Sequence, residues 1–165
     1  MANAIHVNEA NFQSEVLDST LPVLIDFWAP WCGHCTKLAP VFDELSSDMG
    51  EKVKCVKISV DENKALAQKY GVMSLPTMIL LKNGEQIGRV EGSRVYAKGD
   101  KKLGYFDRDD IFNMEGDKVA YVQGNYLYLK RDNDIKVSLD DVRENIEGGT
   151  IETIAKCAIY ILIGI

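Results

Sequence analysis

Apolar positions in the first half of the chain alternate between strand-like and helix-like spacing. Ile5 to Val7 reads as a short strand. Asn8 can cap a helix in which Phe12, Val16 and Leu17 share one face. Val23-Leu24-Ile25-Asp26-Phe27-Trp28 is almost continuously apolar, the pattern of a strand buried on both faces beneath helices. From His34 to Met49, Leu38, Val41, Phe42, Leu45 and Met49 recur at helical spacing. Gly50 can end that helix, and Pro40 inside it should kink it. Val53 to Val60 predicts a strand, Glu62 to Lys69 a short helix, and Thr77 to Leu81 a strand. Asn83-Gly84 predicts a tight hairpin into a further strand over Gln86 to Glu91. Such alternation describes a layered α/β domain over residues 1–92.

The pattern changes in residues 93–165. Segments starting at Val95, Ile111 and Leu127 repeat with a period of 16. Their first two positions read Val95-Tyr96, Ile111-Phe112 and Leu127-Tyr128, and Leu103, Val119 and Ile135 fall at a common later position. Turn-prone pairs lie between: Gly99-Asp100, Glu115-Gly116 and Asp132-Asn133. Each repeat over 93–137 is expected to form one hairpin, in phase with the hairpin at Asn83-Gly84. Isolated hairpins are marginal, so the repeats must pack on each other or on a partner. An irregular β-rich insert with chance periodicity is the alternative. Ser138 with Asp141 then approximates a capping box for a helix over 139–147, where Leu139, Val142 and Ile146 share a face. Gly148-Gly149 stops it, and Thr150 caps a last helix, 151–163, apolar over most of its circumference.

Composition narrows the function classes. The chain has 165 residues, 46% hydrophobic and 27% charged, which argues for a folded globular protein rather than a disordered one. A net charge of −6 without a basic block argues against nucleic acid and anionic membranes as partners. The longest nearly apolar run, Ala158 to Ile165, falls far short of the roughly 20 residues of a spanning helix. The N-terminus shows no basic segment followed by an apolar one, so the expected location is cytoplasmic.

The four cysteines are too few for a disulfide scaffold. Cys55 lies in a strand pattern and Cys157 in the apolar last helix, and both read as buried thiols. Cys32 and Cys35 are spaced C-x-x-C, which suits redox chemistry or half of a zinc site. A structural zinc needs four ligands, and Cys55, Cys157, His6 and His34 form no second paired motif; no metal is expected. The redox case is physical. The pair follows a buried strand and opens a helix, where unpaired N–H groups and the positive end of the dipole stabilise thiolate. Cys32 would attack a substrate disulfide, and Cys35, further into the helix, would resolve the mixed disulfide.

These residues resemble the thioredoxin superfamily. The match comprises Asp26-Phe27-Trp28-Ala29, Trp31-Cys32-Gly33-x-Cys35, Lys37, Pro40, Lys57, Asp61, Tyr70-Gly71-Val72, Leu75-Pro76-Thr77, Lys82-Asn83-Gly84 and Gly92. It covers residues 1 to about 92. The resemblance implies a central five-stranded sheet, a cis bond between Leu75 and Pro76, and no bound cofactor beyond the redox-active disulfide. It also implies protein disulfide substrates and thioredoxin reductase, NADPH-linked, as electron source. Trp31, Leu75, Pro76 and Gly92 would then line the substrate site. Asp26 interrupts an apolar strand, where a carboxylate is costly unless paired or protonated. Its implied role is to accept and return the proton of Cys35, assisted by Lys57. One departure matters: Cys-Gly-His-Cys resembles protein disulfide isomerase, since thioredoxins usually carry proline where this chain has His34. Gly33 and His34 are therefore expected to tune the dithiol towards a more oxidising potential, between roughly −270 and −180 mV.

Residues 93–165 do not follow that pattern, which would continue into one final amphipathic helix. Either 139–147 or 151–163 could be that helix displaced downstream. The in-phase hairpins look weakly like a four-fold β flower, a resemblance that implies no chemistry. Two readings result: a thiol–disulfide oxidoreductase with an appended β module, or a binding or assembly protein, with a homo-oligomer through that module as one form of assembly.

Overall fold

The structure is a computed structural model. It describes residues 4–92, 94–97, 101–107, 110–123, 126–129 and 135–138. Backbone packing divides the chain into two compact units, Met1–Gly92 and Ser93–Ile165.

In the first unit the strands are β1 (Ile5–His6), β2 (Val23–Trp28), β3 (Lys54–Ser59), β4 (Thr77–Lys82) and β5 (Glu85–Glu91). Their order in the sheet is β1-β3-β2-β4-β5. β1, β3 and β2 run parallel, and β4 and β5 are antiparallel to their neighbours. The result is a mixed sheet with helices α1 (Gly33–Met49) and α2 (Lys64–Lys69). α1 runs through Pro40 without interruption. The helix expected after Asn8 is shorter: a wide turn over Gln13–Leu17, with Asp18 N–H donating to the Gln13 carbonyl five residues back. The Asn8 side chain accepts from the N–H groups of Ala10 and Asn11, so it caps the approach rather than the helix itself.

Strand alternation explains the apolar run in β2. Ile25 and Phe27 join Val56, Ile58, Ile79 and Leu81 on one face, against Val7, Phe12, Val16 and Leu66. Leu24 and Asp26 point to the other face, where Lys57 of β3 meets Asp43 and Phe42 of α1. Both faces are covered, so both sets of β2 residues are buried. The β4–β5 turn places Asn83 and Gly84 at positive φ (53° and 75°), the conformation a tight hairpin of this hand demands.

The second unit holds β6 (Arg94–Ala97), β7 (Lys101–Asp107), β8 (Asp110–Asn113), β9 (Lys118–Gln123), β10 (Tyr126–Leu129) and β11 (Ile135–Ser138). Each of the three sequence repeats contributes one antiparallel pair: β6–β7, β8–β9 and β10–β11. β7 also pairs with β8, and β9 with β10, so the strands form a meander. The flower-like arrangement gains no support from that pairing. Tyr105 and Phe112 stand opposite each other and stack at 4.9 Å between ring centroids. Gly104 permits the approach of β8, since a Cβ there would lie 2.0 Å from the Phe112 carbonyl oxygen. The expected helices 139–147 and 151–163, and Cys157, lie outside the described residues.

Candidate active site

β2 delivers the chain into the loop Ala29-Pro30-Trp31, and α1 starts directly after it. Cys32 is the N-cap of α1, with extended backbone (φ −87°, ψ 108°). Its Sγ accepts from the N–H of Cys35 at 3.2 Å. Cys32 and Cys35 are joined in a disulfide, with Cα atoms 5.2 Å apart. Both are buried, Cys35 (2% exposed) and Cys32 (7%). Ala29 packs with the pair, and Trp28, Val60 and Leu75 close over that cluster.

The expected substrate residues come from three separate segments. Trp31 stands out from the surface, 71% exposed, and its Nε1–H donates to the Asp61 carboxylate at 3.1 Å. Leu75 and Pro76 precede β4, and the bond between them is cis. Gly92, at φ +54°, donates its N–H to the Pro76 carbonyl at 3.4 Å. Gly33 and His34 open α1 and are exposed.

Asp26 is 1% exposed, and its Oδ1 has no hydrogen-bond partner. Burial pushes its carboxyl up from 3.8 to about 7; the Lys57 ammonium acts the other way, and the Asp43 carboxylate adds to the rise. Lys57 lies opposite Asp26 in the β2–β3 register. Its ion pair, however, is with Asp43 Oδ1 at 2.8 Å. Cys55 is buried and unpaired, and burial raises its thiol to about 12, which leaves it inert as a nucleophile.

Two residues escaped the sequence reading. Asp43 could have been found from the cost of burying Lys57 within an apolar strand, since such a lysine requires an acid from the covering helix. Arg89 is buried on β5 and donates to Glu91 Oε1 at 2.6 Å, to the Gly71 carbonyl at 2.7 Å and to the Tyr70 carbonyl. It thereby anchors the end of α2, from which the chain runs to Leu75 and Pro76.

A family model described as Thioredoxin matches residues 3–102, more than half of the chain. The chain belongs to the thioredoxin family. Thioredoxin of Haemophilus influenzae is 47% identical over 93 residues, which cover 56% of this chain and 87% of that protein. Thioredoxin 1 of Synechococcus elongatus is 46% identical over the same shares. Thioredoxin of Rickettsia felis is 51% identical over 86 residues, 52% of this chain and 80% of its own. The protein is accordingly a thiol–disulfide oxidoreductase, and thioredoxins use a redox-active disulfide without a bound cofactor. Membership also implies protein disulfides as substrates. Among the described residues, no group of three or more His, Cys, Asp or Glu could hold a metal, and no helix is long and apolar enough to cross a membrane.

Proposed function

We propose that the protein reduces protein disulfides through Cys32 and Cys35, with chemistry confined to residues 1–92. The observation that carries this reading is the disulfide at the N-terminus of α1, with the Cys35 N–H aimed at Cys32 Sγ. In the reduced protein that N–H and the helix dipole favour thiolate at Cys32. The thiolate attacks one sulfur of the substrate disulfide, forming a Cys32–substrate disulfide and releasing a substrate thiolate. Cys35 then gives its proton to the Asp26 carboxylate, and its thiolate attacks Cys32 Sγ. The second substrate thiolate leaves, and Cys32–Cys35 is oxidised. Two electrons have passed to the substrate, and its two thiolates take up two protons.

Lys57 supports the ionised state of Asp26, and Gly33 and His34 tune the dithiol. Trp31, Leu75, Pro76 and Gly92 receive the substrate chain; an extended segment can pair with backbone groups beside Pro76. A thioredoxin reductase drawing on NADPH returns the two electrons, in the cytoplasm. Residues 93–165 form a second unit. None of the residues assigned to the chemistry lies in it, and it would take an added binding or assembly role.

The test is insulin reduction with dithiothreitol as electron source. The full chain should accelerate it, Cys32→Ser should abolish the acceleration, and Cys35→Ser should accumulate mixed disulfides. Unchanged turnover in Cys32→Ser would overturn the assignment.

A further inference from the structure

The reading of Asp26 as the proton partner of Cys35 leaves the Lys57–Asp43 ion pair without a role. Lys57 and Asp26 are register partners on parallel strands, so both side chains leave the sheet on the α1 face. Lys57 is nevertheless turned to Asp43 Oδ1 at 2.8 Å, with its ammonium 5.9 Å from the Phe42 ring centroid. An ammonium is a point charge with three donors on a flexible stem, so the same side chain has two carboxylates to choose between. The Oδ1 of Asp26 has no hydrogen-bond partner although it is buried. A buried carboxylate oxygen left empty beside a cation that is bound elsewhere needs a reason.

We propose that Asp43 is a positioning residue of the dithiol site: it holds the Lys57 ammonium on the α1 side, so that the Asp26 carboxyl stays able to take and return a proton rather than being locked in an ion pair. The charges acting on Asp26 are Lys57 from β3 and Asp43 from α1. Its partner across β4 is Met78, which carries none. Cys55, two positions before Lys57 on the same face of β3, is a neutral thiol throughout the working range. In the first turn of α1, Cys35 titrates once the disulfide is reduced. Removing the Asp43 charge acts twice in one direction. It ends the repulsion that opposes ionisation of Asp26, and it releases Lys57 to turn towards the empty oxygen.

The inference rests on the assignment of Asp26 to Cys35, and its test separates the two. The Asp26 carboxyl is titrated by carbon-13 NMR in the full chain, oxidised and reduced, alongside the pH profile of mixed-disulfide resolution. Asp43 is partly exposed on α1, so Asp43→Asn should keep the fold. It should lower the Asp26 midpoint by roughly 1 pH unit and carry the resolution profile down with it. Asp43→Glu should restore the wild-type midpoint. In a Lys57→Met or Lys57→Gln background, the effect of Asp43→Asn should shrink to less than half, because only the direct repulsion remains. A midpoint that stays or rises in Asp43→Asn overturns the proposal, and so does an equal shift with and without Lys57. A midpoint that falls while the resolution profile stands still supports the positioning of Lys57 and refutes the role of Asp26.

Discussion

Asp26 and Arg89 are both charged and both buried in the sheet of the first unit, on opposite faces. Arg89 is paired: it bonds one carboxylate and two main-chain carbonyls, Tyr70 and Gly71. Asp26 has a bare Oδ1, and burial lifts its carboxyl to about 7. In the first arrangement the bonds offset the cost of desolvation and fix a turn. The second sacrifices stability and leaves a group whose proton is loosely held at neutral pH, as a proton carrier requires. The fully bonded buried charge fixes a turn here, while the residue proposed to carry the Cys35 proton keeps a bare oxygen.

The largest expected effect breaks that contrast at Asp26. Its folded value, about 7, lies above the unfolded value of 3.8. Between those values the folded state binds more protons, so this carboxyl lowers stability as pH rises through the window. Well below about pH 4 it is protonated in both states and costs nothing. Above about pH 7 the full cost is present, on the order of 4 kcal/mol. Asp26→Asn should therefore stabilise the oxidised protein by up to about that amount at pH 8, and hardly at pH 4. Urea denaturation at the two pH values measures it, and an equal gain at both would remove the electrostatic cause.

Arg89→Leu should do the reverse. It strips donors from Tyr70, Gly71 and Glu91, at a cost of about 2 kcal/mol, with little dependence on pH. Hydrogen exchange should show the loosening concentrated between Tyr70 and Pro76, and KM for a protein disulfide should rise more than kcat falls. A uniform loss of protection across the sheet would mean that Arg89 does not act on that turn.

The smallest effect concerns the exposed neighbour. His34→Pro should make the Cys32–Cys35 potential more negative by about 30 mV, equivalent to about 1.4 kcal/mol for two electrons. Equilibration with glutathione gives the value. A shift towards a more oxidising potential would show that His34 does not favour the reduced dithiol.

Local signals in the sequence carried much of this. The apolar run of β2, the Asn83-Gly84 turn and the C-x-x-C at a helix start each depend on residues adjacent in the chain. The 16-residue period is likewise local, and β6, β8 and β10 begin at Arg94, Asp110 and Tyr126, one residue before the repeat segments. What stayed hidden depends on distance along the chain. Lys57 could be placed on the right strand, but its choice of Asp43 over Asp26 is decided by how α1 lies across β3. The bonds of Arg89 to carbonyls 18 and 19 residues away follow no periodicity. The wide turn at Gln13–Leu17 also eluded the pattern, because three apolar positions fit more than one helical pitch.

The most direct test of the central claim is the pH dependence of mixed-disulfide resolution by Cys35, followed in single turnovers with wild-type protein and Asp26→Asn. If the Asp26 carboxylate accepts the Cys35 proton, the wild-type rate should climb through the range around pH 7 in which Asp26 ionises. In Asp26→Asn that rise should vanish, leaving a slower rate that increases only as the Cys35 thiol ionises by itself. Superimposable profiles for the two proteins would contradict the account.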